Sequence, residues 1–294
     1  MSGNIARTTA APVSTLRVAR LRSRVPTLVL YTLLTIGAVI MIVPFVWMIS
    51  SSLKGLTQIF FIPPVWIPNP PVWSNYPDAF NALPFGRAYF NSFVIAFVVV
   101  ASTLLTSSMA AYAFARIQFP FRDTLFVVFL AMLMVPGQVT IIPLFLIMKN
   151  VGLINTLWSI IVPFSLFNAF GVFLLRQFIK ALPGELEEAA YVDGANRWTI
   201  YRRVILPLIK PALSALGIFT FMGQWNSFFY PLIMLSSPTN FTVPLMLNQF
   251  RGEYTVNWAL MMAASAIAVI PVLIVYIVGQ RYIIEGIAMT GLKG

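Results

Sequence analysis

Six runs of apolar residues dominate the chain, at 25–50, 90–113, 124–148, 154–175, 212–235 and 258–278, and none contains an Asp or Glu. Each is long enough to cross ~30 Å of hydrocarbon as a helix. Backbone polar groups immersed in lipid must be satisfied internally, which runs of this length achieve as helices. The sequence therefore predicts an all-α, polytopic membrane protein with six transmembrane helices in one membrane domain, 25–283. Arg17, Arg20, Arg22 and Arg24 precede the first run. That run is too long for a signal-peptide core and lacks a clear small-residue cleavage site, so it reads as an uncleaved anchor.

The charged residues sort by position. They make up only 9% of the 294 residues, with 19 Lys plus Arg against 8 Asp plus Glu. Elsewhere a formal +11 marks a nucleic-acid binder, but here the cations sit in short loops beside apolar runs, where they set topology. No nucleic-acid partner is expected. With both termini cytoplasmic, fifteen of the nineteen fall on one side: in the basic tail 1–24, beside Arg116 and Arg122, in the loop 176–211, and toward the tail 284–294. Lys54, Arg87, Lys149 and Arg251 fall on the other. The expectation is a multi-pass protein of the cell membrane, in contact with lipid. The chain has no Cys and no His, which excludes disulfides, thiolate zinc sites and imidazole acid–base chemistry. No metal site and no catalytic residue is expected.

Between the first two runs, 53–84 is broken by Pro63, Pro64, Pro68, Pro70, Pro71 and Pro77 and carries Trp66, Trp73 and Tyr76. It reads as an ordered connector at the membrane surface. No internal repeat is evident.

The most informative loop is 183–211. Pro183 suits a helix start, Glu185, Glu187 and Glu188 complement the dipole at its N-terminal end, and Gly194 permits a left-handed turn. A second short helix follows, with Asp193 or Asn196 as its cap. The first presents Leu186, Ala189 and Ala190 at helical spacing, and the second Trp198, Tyr201 and Ile205. In isolation this is a compact amphipathic element, either lying at the interface or fitting a groove on a soluble partner.

The order Glu188, Ala189, Ala190, Asp193, Gly194, Ala195, closed by Ile205, Leu206 and Pro207, closely resembles the EAA loop in membrane subunits of ATP-binding-cassette importers. The resemblance is nearest to the maltose-type carbohydrate branch with six spans. Pro136, Gly137, Gln138 and Pro143 support it, as do Gly152, Leu153, Asn155, Trp225, Asn226 and the terminal Gly291, Leu292, Lys293, Gly294. It covers the chain from residue 25 onward. It implies a bacterial or archaeal permease subunit, non-catalytic itself, that pairs with a homologous second permease subunit. Two cytoplasmic ATPase subunits and an extracytoplasmic solute-binding protein are the implied partners, with ATP and Mg held by the ATPases and no cofactor on this chain. Glu188, Ala189, Ala190, Asp193, Gly194, Ala195 and Arg197 become the ATPase-coupling residues by that resemblance. The loop 236–257, with Pro244, Asn248, Gln249, Arg251, Glu253 and Tyr254, corresponds to one that reaches toward the binding protein.

Apolar spans without carboxylates disfavour proton or sodium coupling, and no phosphate-binding Gly-x-x-x-x-Gly-Lys loop is present. Polar residues inside the spans are the candidates for a solute path: Gln138, Asn168, Gln224, Trp225, Asn226, Ser227 and Tyr230. Amides next to aromatic faces suit sugar hydroxyls and their apolar CH surfaces, although helix-to-helix bonding explains such residues as well. Small residues such as Ser107, Ala111, Ala259, Ala263 and Ala264 read as close-packing positions. Three readings follow: a sugar or oligosaccharide importer subunit, the same machinery carrying glycerol 3-phosphate or a glycerophosphodiester, and an ion-coupled carrier. A membrane scaffold that recruits a soluble protein is the remaining class.

Overall fold

The computed structural model describes residues 13–166, 168–251 and 257–291, with side-chain surroundings for 27–166, 168–251 and 257–282. Among the described residues the chain is helical and forms no strand. Glu253, Tyr254, Lys293 and the side chains of the arginines in 1–24 lie outside them.

Helix α1 (Val13–Ser52) includes the first apolar run. Its exposed residues include Leu28, Tyr31, Met41 and Phe45, and it packs along the last helix. The connector that follows carries α2 (Leu56–Ile59) and α3 (Asn75–Ala82) and folds back on the end of α1. Asn75 Nδ2 donates to the carbonyls of Ser52 and Lys54, both at 2.9 Å, and the Ser52 and Tyr76 hydroxyls are 2.8 Å apart. Lys54 is fully buried there, its ammonium 3.7 Å above the Trp47 ring.

The centre of the bundle is α4 (Phe85–Arg116), 32 residues long. Its buried stripe, Ala88, Ser92, Ile95, Val99, Thr103, Ser107 and Ala111, recurs every three or four residues as a helix face requires. The small members allow neighbours to come close.

Three of the predicted spans are interrupted. The run 124–148 becomes α5 (Arg122–Ala131), a 3-10 turn at Met132–Met134, and α6 (Ile141–Asn150) after a gap at 135–140. Pro136 and Gly137 stand in that gap, where the missing N–H and the freer backbone end a helix. The run 154–175 becomes α7 (Trp158–Leu166) and α8 (Ala169–Ala181). Carbonyls freed at this break accept bonds from α4: Thr103 donates to Phe164 O and Thr106 to Ser165 O, each at 3.3 Å. The loop 183–211 holds α9 (Glu185–Val192), α10 (Arg197–Ile200), a π-turn at Tyr201–Ile205 and α11 (Leu206–Leu208). The run 212–235 becomes α12 (Lys210–Trp225) and α13 (Phe229–Met234). After α14 (Val243–Gln249), α15 (Trp258–Gly291) closes the bundle.

Six uninterrupted spans are therefore not what the described residues contain. By length and composition four helical stretches can cross a membrane: Thr27–Ser52, Phe85–Arg116, Trp158–Ala181 and Trp258–Tyr282. The pair Arg197–Leu208 and Lys210–Trp225, bent by 76°, gives a fifth if counted as one. Pro136 and Gly137 account for the gap at 135–140, while the break before α8 falls at its capping residue Asn168 and the one before α13 at 226–228.

Two apolar cores result. One gathers Phe85, Ile95, Trp225, Met246 and Phe250. The other, at the Arg116 end, gathers Tyr112, Leu175, Ile179, Ile200, Tyr201 and Ile205. At the opposite end Asn155, at φ 60°, ties two loops. Its Oδ1 accepts from the backbone N–H of Ser236 and Ser237 at 3.0 and 2.9 Å, and its Nδ2 donates to Ser237 Oγ at 2.7 Å.

Candidate functional site

At the Arg116 end, α9 closes in a Schellman turn. Gly194 N–H donates to Tyr191 O at 3.0 Å and Ala195 N–H to Ala190 O at 2.9 Å, with Gly194 at φ 79°, the left-handed conformation this motif requires. Of the two possible caps for the second helix, Asn196 takes the role: its Oδ1 accepts from Thr199 N–H at 2.9 Å. Asp193 instead ends α9 as its C-cap.

The apolar faces divide differently from the predicted pairing. Leu186, Ala189, Tyr191, Val192 and Trp198 are exposed, while Ala190 and Ala195 are half-buried. Tyr201 and Ile205 face inward rather than joining Trp198 at the surface. The Tyr201 hydroxyl lies 2.8 Å from Ser108 Oγ on α4. Glu188, Asp193 and Arg197 remain exposed. The knob thus has an apolar surface rimmed by charge, and a buried root on α4.

Two residues hold that root that the sequence did not single out for this role. Arg116 Nε and Glu187 Oε1 form an ion pair at 2.7 Å. Arg116 Nη2 also donates to the carbonyls of Ile179 and Leu182, at 2.9 and 2.7 Å. The available signal was Glu187 three residues before Ala190, hence on one face of α9. Nearby, Asp123 bridges Arg122 at 3.2 Å and Arg176 at 3.7 Å. The hydrogen bond from Arg122 holds its carboxyl below the usual carboxylate range.

The span breaks meet farther along the bundle. Tyr230 of α13 packs edge-on against Phe164 of α7, with centroids 4.8 Å apart, and its hydroxyl lies against Gly137 in the α5–α6 gap. Gln138 beside it is exposed, as is Asn226, whose Nδ2 donates to Met222 O at 2.9 Å. Gln224 and Ser227 are half-buried, and Gln224 Oε1 is buried without a hydrogen-bond partner among the described residues. Two of the seven candidates have internal duties. Asn168 caps α8, its Oδ1 accepting from Gly171 N–H at 2.7 Å. Trp225 is buried among Tyr89, Phe93 and Phe221, and its indole N–H donates to Ala268 O at 3.1 Å, three residues before Pro271 in α15. Among the described residues no group of carboxylates could hold a metal ion.

The model of one family, the binding-protein-dependent transport system inner membrane component, matches residues 102–288. The chain belongs to this family. As a member of the inner membrane component family it is a multi-pass membrane protein and a transport subunit. Relatives include the lactose transport system permease protein LacG of Rhizobium radiobacter, 33% identical with 90% of this chain and 96% of the relative covered. The arabinooligosaccharides transport system permease protein AraQ of Halalkalibacterium halodurans is 34% identical, covering 90% and 98%. The sulfoquinovosyl glycerol transport system permease protein SmoH of Agrobacterium fabrum is 31% identical, covering 85% and 88%. Among solved structures, a bacterial ABC transporter involved in the import of the acidic polysaccharide alginate shares the fold. Its TM-score is 0.79 at 24% identity, over 94% of this chain and 99% of that one. The family match contains both candidate sites, whereas α1 and the connector 53–84 precede it.

Proposed function

We propose that this chain is one of two homologous permease subunits of an ATP-driven, binding-protein-dependent importer of a sugar or oligosaccharide. The observation that carries the reading is the α9–α10 knob. It exposes Leu186, Ala189, Tyr191, Val192 and Trp198 on a loop outside the apolar spans; a bare apolar surface of this kind suits a protein or membrane contact, and the resemblance to the EAA loop favours the protein. Two cytoplasmic ATPase subunits supply that partner, holding ATP and Mg, with Glu188, Asp193 and Arg197 at the rim and Ala189, Ala190, Gly194 and Ala195 shaping the contact. Both termini lie in the cytoplasm. The chain crosses the membrane six times, with α5–α6, α7–α8 and α12–α13 as broken spans.

Broken backbone at membrane depth is tolerated where it is buried in protein or lines a cavity. Gln138, Asn226 and Tyr230, with Gln224 and Ser227 behind them, line this subunit's share of the path. Trp225 and Asn168 support it from within. The cargoes named for LacG and AraQ favour a sugar. An acidic glycoside is the second reading, favoured by the cargoes named for SmoH and for the alginate importer.

The test is ATP hydrolysis by this chain co-purified in lipid with the second permease and the ATPases, with and without binding protein loaded with candidate sugars. Stimulation by one loaded binding protein is expected and names the cargo. If the subunits do not associate, the proposal fails and an ion-driven carrier takes its place.

A further inference from the structure

Glu187 is the single buried residue of α9, and it is charged. A short amphipathic helix is ordinarily fixed by its apolar side, yet Leu186, Tyr191 and Val192 are exposed. Beside the half-buried Ala190, the helix is anchored by a carboxylate. Its counter-charge, Arg116, is the last residue of α4, and the same guanidinium caps the end of α8 through Ile179 and Leu182. Tyr112, one turn earlier on α4, donates to the other Glu187 oxygen at 3.5 Å. Little water reaches the pair, whose side chains are 20% and 10% exposed, so separating them would strand two poorly hydrated charges.

From α4 the contacts continue toward the span breaks. Thr103 and Thr106 hold the carbonyls of Phe164 and Ser165, and Phe164 packs on Tyr230, whose hydroxyl meets Gly137. We infer that Arg116 and Glu187 are positioning residues, forming the link through which movement of α9 reaches α4 and, through Phe164, the path beside Tyr230. This rests on the proposed reading of the α9–α10 knob as the ATPase contact.

The experiment measures substrate imported per ATP hydrolysed, using the full chain reconstituted with its permease partner, ATPases and loaded binding protein in lipid vesicles. Glu187→Gln keeps the side-chain shape and removes the charge. The complex is expected to assemble and hydrolyse ATP while import per ATP falls about tenfold, a usual size for coupling between sites. Arg116→Met behaves alike, and the double variant loses no more than the worse single one, because both remove one link. A wild-type ratio in either assembled single variant overturns the inference, as does a double variant whose losses multiply. Should Arg116→Met fail to assemble, Arg116→Lys replaces it, keeping the charge without the fork that spans carboxylate and carbonyls, and a wild-type ratio again overturns the link. Failure of the unaltered chain to engage the ATPase defeats the parent reading. A coupled wild type beside an equally coupled Glu187→Gln defeats the link alone.

Discussion

The hydroxyl of Tyr230 occupies the space that a side chain at Gly137 would need, so a β-carbon there collides with it. Overfilling a packed contact costs about 1–3 kcal/mol when neighbours must shift. Gly137→Ala should therefore push the Tyr230 ring off Phe164 and lower the rate of labelled-sugar uptake several-fold, with normal assembly. Tyr230→Phe removes the colliding atom, and combining it with Gly137→Ala should recover most of the uptake. If the double variant is as impaired as Gly137→Ala alone, the collision is not the cause.

Gly194 at φ 79° cannot be replaced cheaply, since an L-residue in this conformation costs about 1–2 kcal/mol. Gly194→Val should distort the Schellman turn and uncouple ATP hydrolysis from transport while membrane insertion proceeds. Uptake and ATPase rates measured together check this, and normal coupled uptake would contradict it.

For Trp225 the structure separates packing from solute contact. Trp225→Phe keeps the aromatic stack but leaves the buried Ala268 carbonyl without its indole donor, a loss of about 1–3 kcal/mol. The melting temperature in detergent should fall while the apparent KM for sugar stays unchanged. Asn226→Ala should do the reverse, raising KM with little effect on melting.

Asp123 gives a pH signature. Its carboxyl is held below the usual range chiefly by Arg122, so its stabilising charge is fully present above the ordinary carboxylate value and is lost as pH falls through the depressed one. Asp123→Asn should therefore melt slightly lower than the wild type near neutrality, with the gap closing in acid. A gap that persists unchanged at pH 3 would show that the charge is not its source.

The apolar, all-helical character of the chain was legible because lipid forces a simple rule on composition, and the gap at Pro136 and Gly137 follows from conformational limits that proline and glycine carry locally. Asn168 was not, since an amide inside an apolar run has the same sequence signature whether it faces a solute or caps a helix. Its bond to Gly171 is visible only in three dimensions. Trp198, Tyr201 and Ile205 follow helical spacing, yet only Trp198 is exposed, while Tyr201 and Ile205 are buried against the bundle. The partnership of Arg116 with Glu187 reaches across the four helices α5 to α8 that intervene in the chain, and no local pattern announces it. Positive charge at Arg116 read as topology alone because that is what most cations in such loops do.

The packing of α1 along α15, where Met41, Ile42 and Phe45 share a groove with Ile267 and Ile270, joins the first long helix to the last. Because chains are made and packed from the N-terminal end, α1 emerges from the ribosome long before its neighbour exists. It must wait in the bilayer with its apolar side chains against lipid until α15 has been made. Completion of this seam therefore follows the synthesis of α15, and a chain interrupted before it leaves that face of α1 uncovered.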